Sequence, residues 1–189
     1  MYSLDNLWDG LATLAVEMRN TKYYFGKITM YPQMNRQAKD MILYFYQKHF
    51  PDKDGLVWPY EPLQIETDFN KLHDLFKGKN YKEDYQILQH SVRELGSYVP
   101  PLVNAYMNLS STMRSFGTAY NHSFGETDET GILVAVKDIY PDKNERYFKS
   151  YIIRNPLLMR RKLLKTNQVI GKRNRQIRKK DNNKEAPTL

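Results

Sequence analysis

A cluster of acidic side chains precedes the most apolar run of the chain. Glu126, Asp128 and Glu129 lie in a glycine-rich stretch, 111–131, directly before the run Ile132–Val136. Functional groups concentrate on loops that a rigid element holds in place. Carboxylates there are suited to act as a general base for an amine nucleophile, or to bind an ammonium group. A glycine-rich turn with solvated acids is an equally weighted interpretation.

Several other chemistries are disfavoured by composition and spacing. The chain has no cysteine, which excludes disulfides, thiolate catalysis and cysteine-ligated metal sites. Its four histidines form no H-x-x-x-H pair, so a histidine metal site is not expected, and His122 alone is more typical of a surface residue. No G-x-S-x-G, Walker or G-x-G-x-x-G motif occurs.

The elements that must position the acidic cluster follow from hydrophobic periodicity and capping residues. Residues 110–129 show too little periodicity to assign. The predicted helices are Ser3–Met18, Asn35–Phe50, Asp68–Phe76, Asn80–Leu95, Pro101–Leu109 and Asp142–Ile153, and the predicted strands are Tyr23–Tyr31, Leu63–Ile65 and Ile132–Val136. This pattern is typical of an α/β or α+β domain with few strands.

Charge is distributed unevenly along the chain. Residues 154–189 hold twelve Lys or Arg and two Asp or Glu, whereas the preceding 153 residues hold 17 basic and 19 acidic residues. Such a block is most often a solvated flexible tail. It is also suited to bind anionic lipid, nucleic acid or an acidic protein. No apolar run is long enough to cross a membrane, so we expect a cytoplasmic protein, with peripheral attachment to the inner membrane as an option.

Four motifs resemble those of a known family. In chain order they are Leu4–Leu11, Tyr24–Pro32, Pro100–Met107 and the block from Phe116 to Ile132. Together they are similar to the hemolysin-type N-acyltransferases of Bacteroidetes, relatives of the ornithine–acyl-carrier-protein N-acyltransferases. The resemblance runs from about Leu4 to Ile153.

The resemblance implies a GNAT-like acyltransferase fold, a twisted mixed sheet flanked by helices. It implies no bound cofactor, and an acyl-ACP or acyl-CoA thioester as the donor substrate. The acyl group passes to the amino group of glycine or ornithine in aminolipid biosynthesis. Acyl carrier protein is then a partner, and because carrier proteins are acidic, the basic segment 154–189 is suited to attract one.

The resemblance also suggests a donor-binding motif. Asn35-x-x-Ala38 with a later Tyr44 resembles the N-x-x-A…Y pattern of the GNAT superfamily, in which the Asn contacts pantetheine and the Tyr protonates the departing thiol. Tyr44 lies about two residues beyond the usual place, which favours a core aromatic, and Asn35 is equally suited to cap a helix.

The remaining candidate residues lie within the family motifs and the acidic cluster. Glu129 and Asp128 are the predicted catalytic acids or bases, with Tyr44 as the third catalytic candidate. Asn104, Tyr106 and Asn121 are predicted, with Asn35, to bind substrate.

One departure from the family concerns length. Family members carry a long N-terminal half that holds the phosphopantetheine end of the donor, so residues 1–153 resemble the C-terminal part only, with an incomplete sheet and an exposed apolar face. Three explanations are compatible with this difference in length: a truncated product, one piece of a split enzyme that pairs with its other half in trans, and an inactive relative.

The alternative function is non-catalytic binding of nucleic acid or an anionic membrane through 154–189. Nucleic acid is disfavoured because no aromatic residues alternate with the cations after Tyr151.

Overall fold

The computed structural model describes residues 3–18, 20–157 and 159. These residues fall into two compact units, one spanning 18–143 and the other combining 3–17 with the described residues from 144 onward. The elements in chain order are α1 (Ser3–Glu17), β1 (Tyr23–Met30), α2 (Arg36–His49), α3 (Phe69–Leu75), α4 (Tyr81–Glu94), α5 (Pro101–Met107), β2 (Arg114–Asn121), β3 (Thr127–Ala135), a 3₁₀ turn (Val136–Asp138), α6 (Pro141–Lys143), a π-helical stretch (Asn144–Lys149) and α7 (Ser150–Arg154).

The unit 18–143 is built on a three-stranded antiparallel sheet in the order β1-β3-β2. The apolar run at the end of β3 therefore lies in the central strand of the sheet. Glu129 of β3 lies opposite Thr29 of β1 and Ala119 of β2. The β2–β3 register shifts between Ser115 and Thr118, where an irregularity bends the edge strand.

The two faces of the sheet differ because side chains alternate along a strand. On β3, Asp128, Thr130, Ile132 and Val134 are buried on the inner face, which α2 covers. The residues between them, Glu129 among them, lie on the outer face and are partly exposed. The inner face thus forms the core, and the outer face is available for a binding site.

Local capping explains where the helices of this unit begin. The Asn35 side chain accepts a hydrogen bond from the Ala38 N–H at 3.1 Å, and Asn80 caps α4 in the same way. Asp68 caps α3, and Pro101 occupies the first turn of α5, where its missing N–H costs nothing. These caps fix the elements that surround the sheet.

An aromatic cluster joins α2 to α4. The ring of Phe45 lies 6.0 Å from that of Phe76 and 5.5 Å from that of Tyr81, both in edge-on geometry. Leu88 and Val92 of α4 are fully buried. Apolar burial of this kind is the main source of stability in such a domain.

The second unit pairs α1 with the helical segment that follows residue 143. Trp8 and Ala12 of α1 are buried, and the Trp8 ring lies 6.2 Å from the ring of Tyr147. The Tyr151 hydroxyl donates to Glu17 at 3.2 Å. The helix predicted over 142–153 is therefore present, but a π-helical stretch interrupts its α-helical geometry.

The observed chain is a mixed α/β structure with flanking helices, consistent with the predicted GNAT-like fold. The predicted strand Leu63–Ile65 is wrong. Only one bridge forms there, from Pro62 to Ala119, because prolines at 59 and 62 cannot donate to a ladder. The strand predicted at Ile132 begins at Thr127 instead.

Two further predictions concern membrane-spanning helices and the basic segment 154–189. No helix in the described ranges is both long and apolar enough to cross a bilayer. The basic segment 154–189 lies outside the described residues except for 154–157 and 159. Its predicted role as a tail, and the boundary predicted at residue 153, stay predictions.

Candidate functional site

A cavity of about 620 Å³ lies on the outer face of the sheet. All three strands form its floor, and the segment 57–59 forms a wall. Its apolar lining includes Phe25, Phe116, Val57 and Trp58. The rings of Phe25 and Phe116 pack at 5.9 Å between centroids, so neighbouring strands supply one continuous apolar surface.

An ion pair lies in the same cavity. Lys27 Nζ on β1 is 2.6 Å from Glu129 Oε1 on β3, and both residues line the cavity. The ammonium group also lies 5.4 Å from the centre of the Phe124 ring, within range of a cation–π contact. Lys27 is half-exposed whereas Glu129 is largely covered, so the carboxylate is the better-fixed member of the pair.

The hydrogen bond from Lys27 is the main cause that lowers the pKa of Glu129 below its usual value. Asn121 adds a second hydrogen bond to the same carboxylate. The carboxylate is therefore ionised at neutral pH and accepts from two donors. It offers a fixed negative charge at the edge of an apolar cavity.

The wall of the cavity depends on a glycine. Gly117 has a φ of +86°, and a Cβ there would lie 2.9 Å from Pro59 Cδ. Glycine is thus required both by its backbone conformation and by the close approach of the 57–59 segment.

The end of the β2–β3 hairpin carries a second polar group beside the cavity. Tyr120 donates its hydroxyl to Glu126, and His122 Nδ1 lies 3.7 Å from the same carboxylate. The hydrogen bond to Glu126 is the main cause that raises the pKa of Tyr120. Tyr120 and His122 line the cavity, whereas Glu126 is tied to them and does not appear in its lining.

The structure does not bring the two predicted catalytic acids together. Asp128 and Glu129 are adjacent on β3 and therefore point to opposite faces of the sheet. Asp128 Oδ2 is 2.5 Å from Lys39 Nζ of α2, and both side chains are buried. Of the two carboxylates, only Glu129 faces the cavity.

The predicted donor-binding residues occupy structural positions. Asn35 caps α2 through its side-chain oxygen. The Tyr44 ring stacks on Phe76 at 5.5 Å, and its hydroxyl lies 3.3 Å from His73 Nδ1. Neither Asn35 nor Tyr44 lines the outer-face cavity. Their predicted roles toward a thioester donor stay predictions.

Asn104 and Tyr106 lie on α5, and neither lines the cavity. The Asn104 side-chain oxygen accepts from Gln89 Nε2 and from Asn108 Nδ2, each at 3.4 Å. Tyr106 is half-buried, and burial raises the pKa of its hydroxyl. Of the predicted substrate-binding residues, Asn121 alone lies in the cavity with Glu129.

Lys27 and Trp58 belong to the cavity but were not singled out from the sequence as functional residues. The signal for Lys27 was its place in a strand, where Tyr23, Phe25 and Lys27 share one face by alternation. The signal for Trp58 was an apolar pair, Val57-Trp58, between turn residues and a proline. Among the residues described, no group of three or more His, Asp or Glu is placed to hold a metal ion.

Comparisons with known proteins found two similar curated proteins. The chain is 56% identical over 160 residues, 85% of its length, to the glycine N(alpha)-acyltransferase of Phocaeicola vulgatus. It is 54% identical over 156 residues, 82% of its length, to the protein of the same name from Bacteroides thetaiotaomicron. The matched stretches make up 49% and 46% of those proteins, so the chain spans about half the length of these relatives. No family model matches, and no solved structure does. The similarity supports an acyltransferase family.

Proposed function

We propose that this chain carries the acceptor side of an N-acyltransferase that moves an acyl group from a thioester to the amino group of glycine. The observation that carries the proposal is the Lys27–Glu129 ion pair, which lies in an apolar cavity. The names of the two relatives, which match more than four-fifths of this chain, support glycine as the acceptor. Ornithine is the second acceptor to be tested.

The ion pair is complementary to an α-amino acid. Glycine in water carries one ammonium and one carboxylate group, separated by a single carbon atom. In the proposed complex the substrate carboxylate binds Lys27 and the substrate ammonium binds Glu129. The contact between Lys27 and Glu129 is thus replaced by two contacts with the substrate. Both charges stay paired, which avoids the cost of leaving an isolated charge in a partly apolar site.

The exchange also prepares the proton transfer. Only the neutral amine is a nucleophile, so the bound ammonium must lose a proton. When Lys27 turns to the substrate carboxylate, Glu129 contacts the substrate ammonium directly and is placed to accept a proton from it. The amine nitrogen then bonds to the thioester carbonyl carbon, and the carbon–sulfur bond breaks. Of the two protons that the ammonium loses, one ends on the departing sulfur and the other in solvent.

The apolar walls of the cavity are suited to the acyl chain. Phe25, Phe116, Val57 and Trp58 present rings and methyl groups next to the polar pair. We propose acyl-ACP as the donor, with acyl-CoA as the alternative, and aminolipid biosynthesis as the setting. The basic residues of 154–189 are suited to attract an acidic carrier protein or an anionic membrane surface, which fits a cytoplasmic enzyme peripheral to the inner membrane.

Binding of glycine to the full chain tests the acceptor site without requiring turnover. Titration of the isotope-labelled chain with glycine is expected to shift the NMR signals of Lys27 and Glu129, and glycinamide, which lacks the carboxylate, is expected to bind more weakly. Lys27→Met removes this preference. Lys77→Met is the control, because Lys77 forms an exposed 2.7 Å pair with Asp74 in another part of the structure. A Lys27→Met variant that still prefers glycine contradicts the assignment.

Turnover tests the role of Glu129. The assay contains acyl-ACP, glycine and the half of the P. vulgatus relative that this chain does not span. Glu129→Gln is expected to lower kcat/KM by about 10²–10⁴-fold, the usual contribution of a general base. Glu94→Gln, on the exposed surface of α4, is the control. A Glu129→Gln rate equal to the control rate excludes Glu129 from catalysis.

A further inference from the structure

We propose that the outer face of the sheet and the free edge of β1 form a docking surface for the other half of the acyltransferase, the half that this chain does not span. The identity of this occupant rests on the proposed function, since it is taken from relatives that carry the acyltransferase name. The surface itself is defined by Tyr23, Phe25, Val57, Trp58 and Tyr60.

These five side chains are apolar or aromatic, and all are strongly exposed. Phe25 is 65% exposed and Trp58 is 75% exposed, and the Tyr60 side chain is almost fully open to solvent. Single exposed apolar residues are ordinary, but Phe25, Val57 and Trp58 line one cavity together, and a grouped apolar patch marks an interaction surface. Aromatic residues are also the type most enriched at the centres of interfaces.

The edge of the sheet points to the same conclusion. β1 pairs with β3 on one side, and none of the other described strands pairs with its second side. Natural proteins protect such edges with proline, bulges or charged side chains. β1 contains no proline, and Lys27 is its single charged side chain. Within the part of the chain that the structure describes, this edge has no strand partner and is suited to accept an added strand.

The relatives indicate what covers this surface. They are about twice as long as the stretch that matches, and that stretch is 54–56% identical to this chain. At such identity the matched stretch folds alike, so the relatives would present the same bare face unless their remaining half covers it. We therefore assign the face to that half, whether the two are joined in one polypeptide or meet as separate chains.

A second copy of this chain is a poorer occupant. An antiparallel pairing of two β1 edges that sets Lys27 opposite Lys27 places like charges against each other, which is destabilising across a strand pair. By contrast, a strand from the other half has no such constraint. Its docking would also close the open side of the cavity and exclude water from the Lys27–Glu129 pair, which strengthens electrostatic interactions there.

The experiment uses the full chain and the unmatched half of the P. vulgatus relative, produced as a separate polypeptide. Isothermal titration calorimetry is expected to detect a one-to-one complex. Phe25→Asp is expected to weaken it by at least about 30-fold, the loss typical of a central interface residue. Phe69→Asp is the matched control, since Phe69 is 59% exposed on α3, away from the proposed surface, and binding should change little.

Hydrogen exchange of the unmodified proteins provides a readout that does not depend on a variant folding. Amides of β1 are expected to gain protection in the complex. The proposal is overturned if no complex forms, or if both variants weaken binding equally. It is also overturned if hydrogen exchange of β1 is unchanged, or if the chain forms a homodimer that excludes the added half. Glycine titration of the chain alone separates this outcome from the proposed function. If the chain binds the other half but glycine shifts none of its NMR signals, the acceptor site is contradicted. If glycine shifts the signals but no complex forms, only the docking surface is contradicted.

Discussion

Replacement of Lys39 tests whether the ion pair on the inner face is structural. Lys39 Nζ lies 2.5 Å from Asp128 Oδ2, and the two side chains are only 8% and 6% exposed. Lys39→Met leaves the carboxylate buried without a partner. Removal of one member of such a pair costs about 3–5 kcal/mol. A domain of ordinary stability has about 5–15 kcal/mol in total, so the free energy of unfolding should fall by a large share.

The double variant Lys39→Met with Asp128→Leu separates charge burial from packing. It removes both charges and keeps apolar groups of similar size, so it is expected to unfold with a free energy near that of the unmodified chain. Lys27→Met is the surface control. It breaks a pair of nearly the same length, 2.6 Å, but Lys27 is half-exposed, and such pairs contribute about 0–1 kcal/mol.

Urea denaturation at neutral pH, followed by circular dichroism and fluorescence, measures all three variants. The reasoning is refuted if Lys39→Met lowers the free energy of unfolding no more than Lys27→Met does, or if the double variant is as unstable as Lys39→Met alone.

The double variant also bears on the predicted catalytic role of Asp128. Glycine acylation that survives both replacements assigns Asp128 to stability, and its loss with an intact fold restores Asp128 as a catalytic candidate.

Two further changes probe the cavity wall and the acid limit of stability. Gly117→Ala forces an alanine into a φ of +86° against Pro59 and is expected to cost about 1–3 kcal/mol in urea denaturation; an unchanged midpoint contradicts the close approach. Burial opposes ionisation of Asp84, but donors that include Lys48 and His49 outweigh it and lower its pKa. Its contribution is therefore complete above the unfolded pKa of about 3.9 and is lost as pH falls through the lower folded value. Asp84→Asn should flatten the loss of stability as pH falls below about 4, and equal slopes in both proteins contradict this role.

Local signals predicted most of the helices. Asn35, Asp68 and Asn80 were each suited to cap a helix, and each caps one at that position. Such signals act within a few residues, so a single sequence contains them in full. The run from Ile132 likewise predicted a strand, because a short continuous apolar run bounded by turn residues is typical of a buried one.

The sheet around that strand depends on distant residues and was harder to predict. Arg114–Asn121 pairs with β3 across a register shift, and its serine, threonine and glycine content hides the alternation of a strand. Without that strand, Asp128 and Glu129 looked like neighbours in a loop. Lys27 and Glu129 are 102 residues apart in sequence, so only the completed sheet brings them together.

The alternation along β3 links the register of the sheet to the charges on its two faces. One strand presents Asp128 to the core and Glu129 to the cavity, and a slip of a single residue in its pairing would exchange the two. The longer carboxylate would then meet Lys39 in a closed interior, while Lys27 faced the shorter one across the cavity. An insertion or deletion within this strand would therefore disturb the buried ion pair and the charge in the cavity at once.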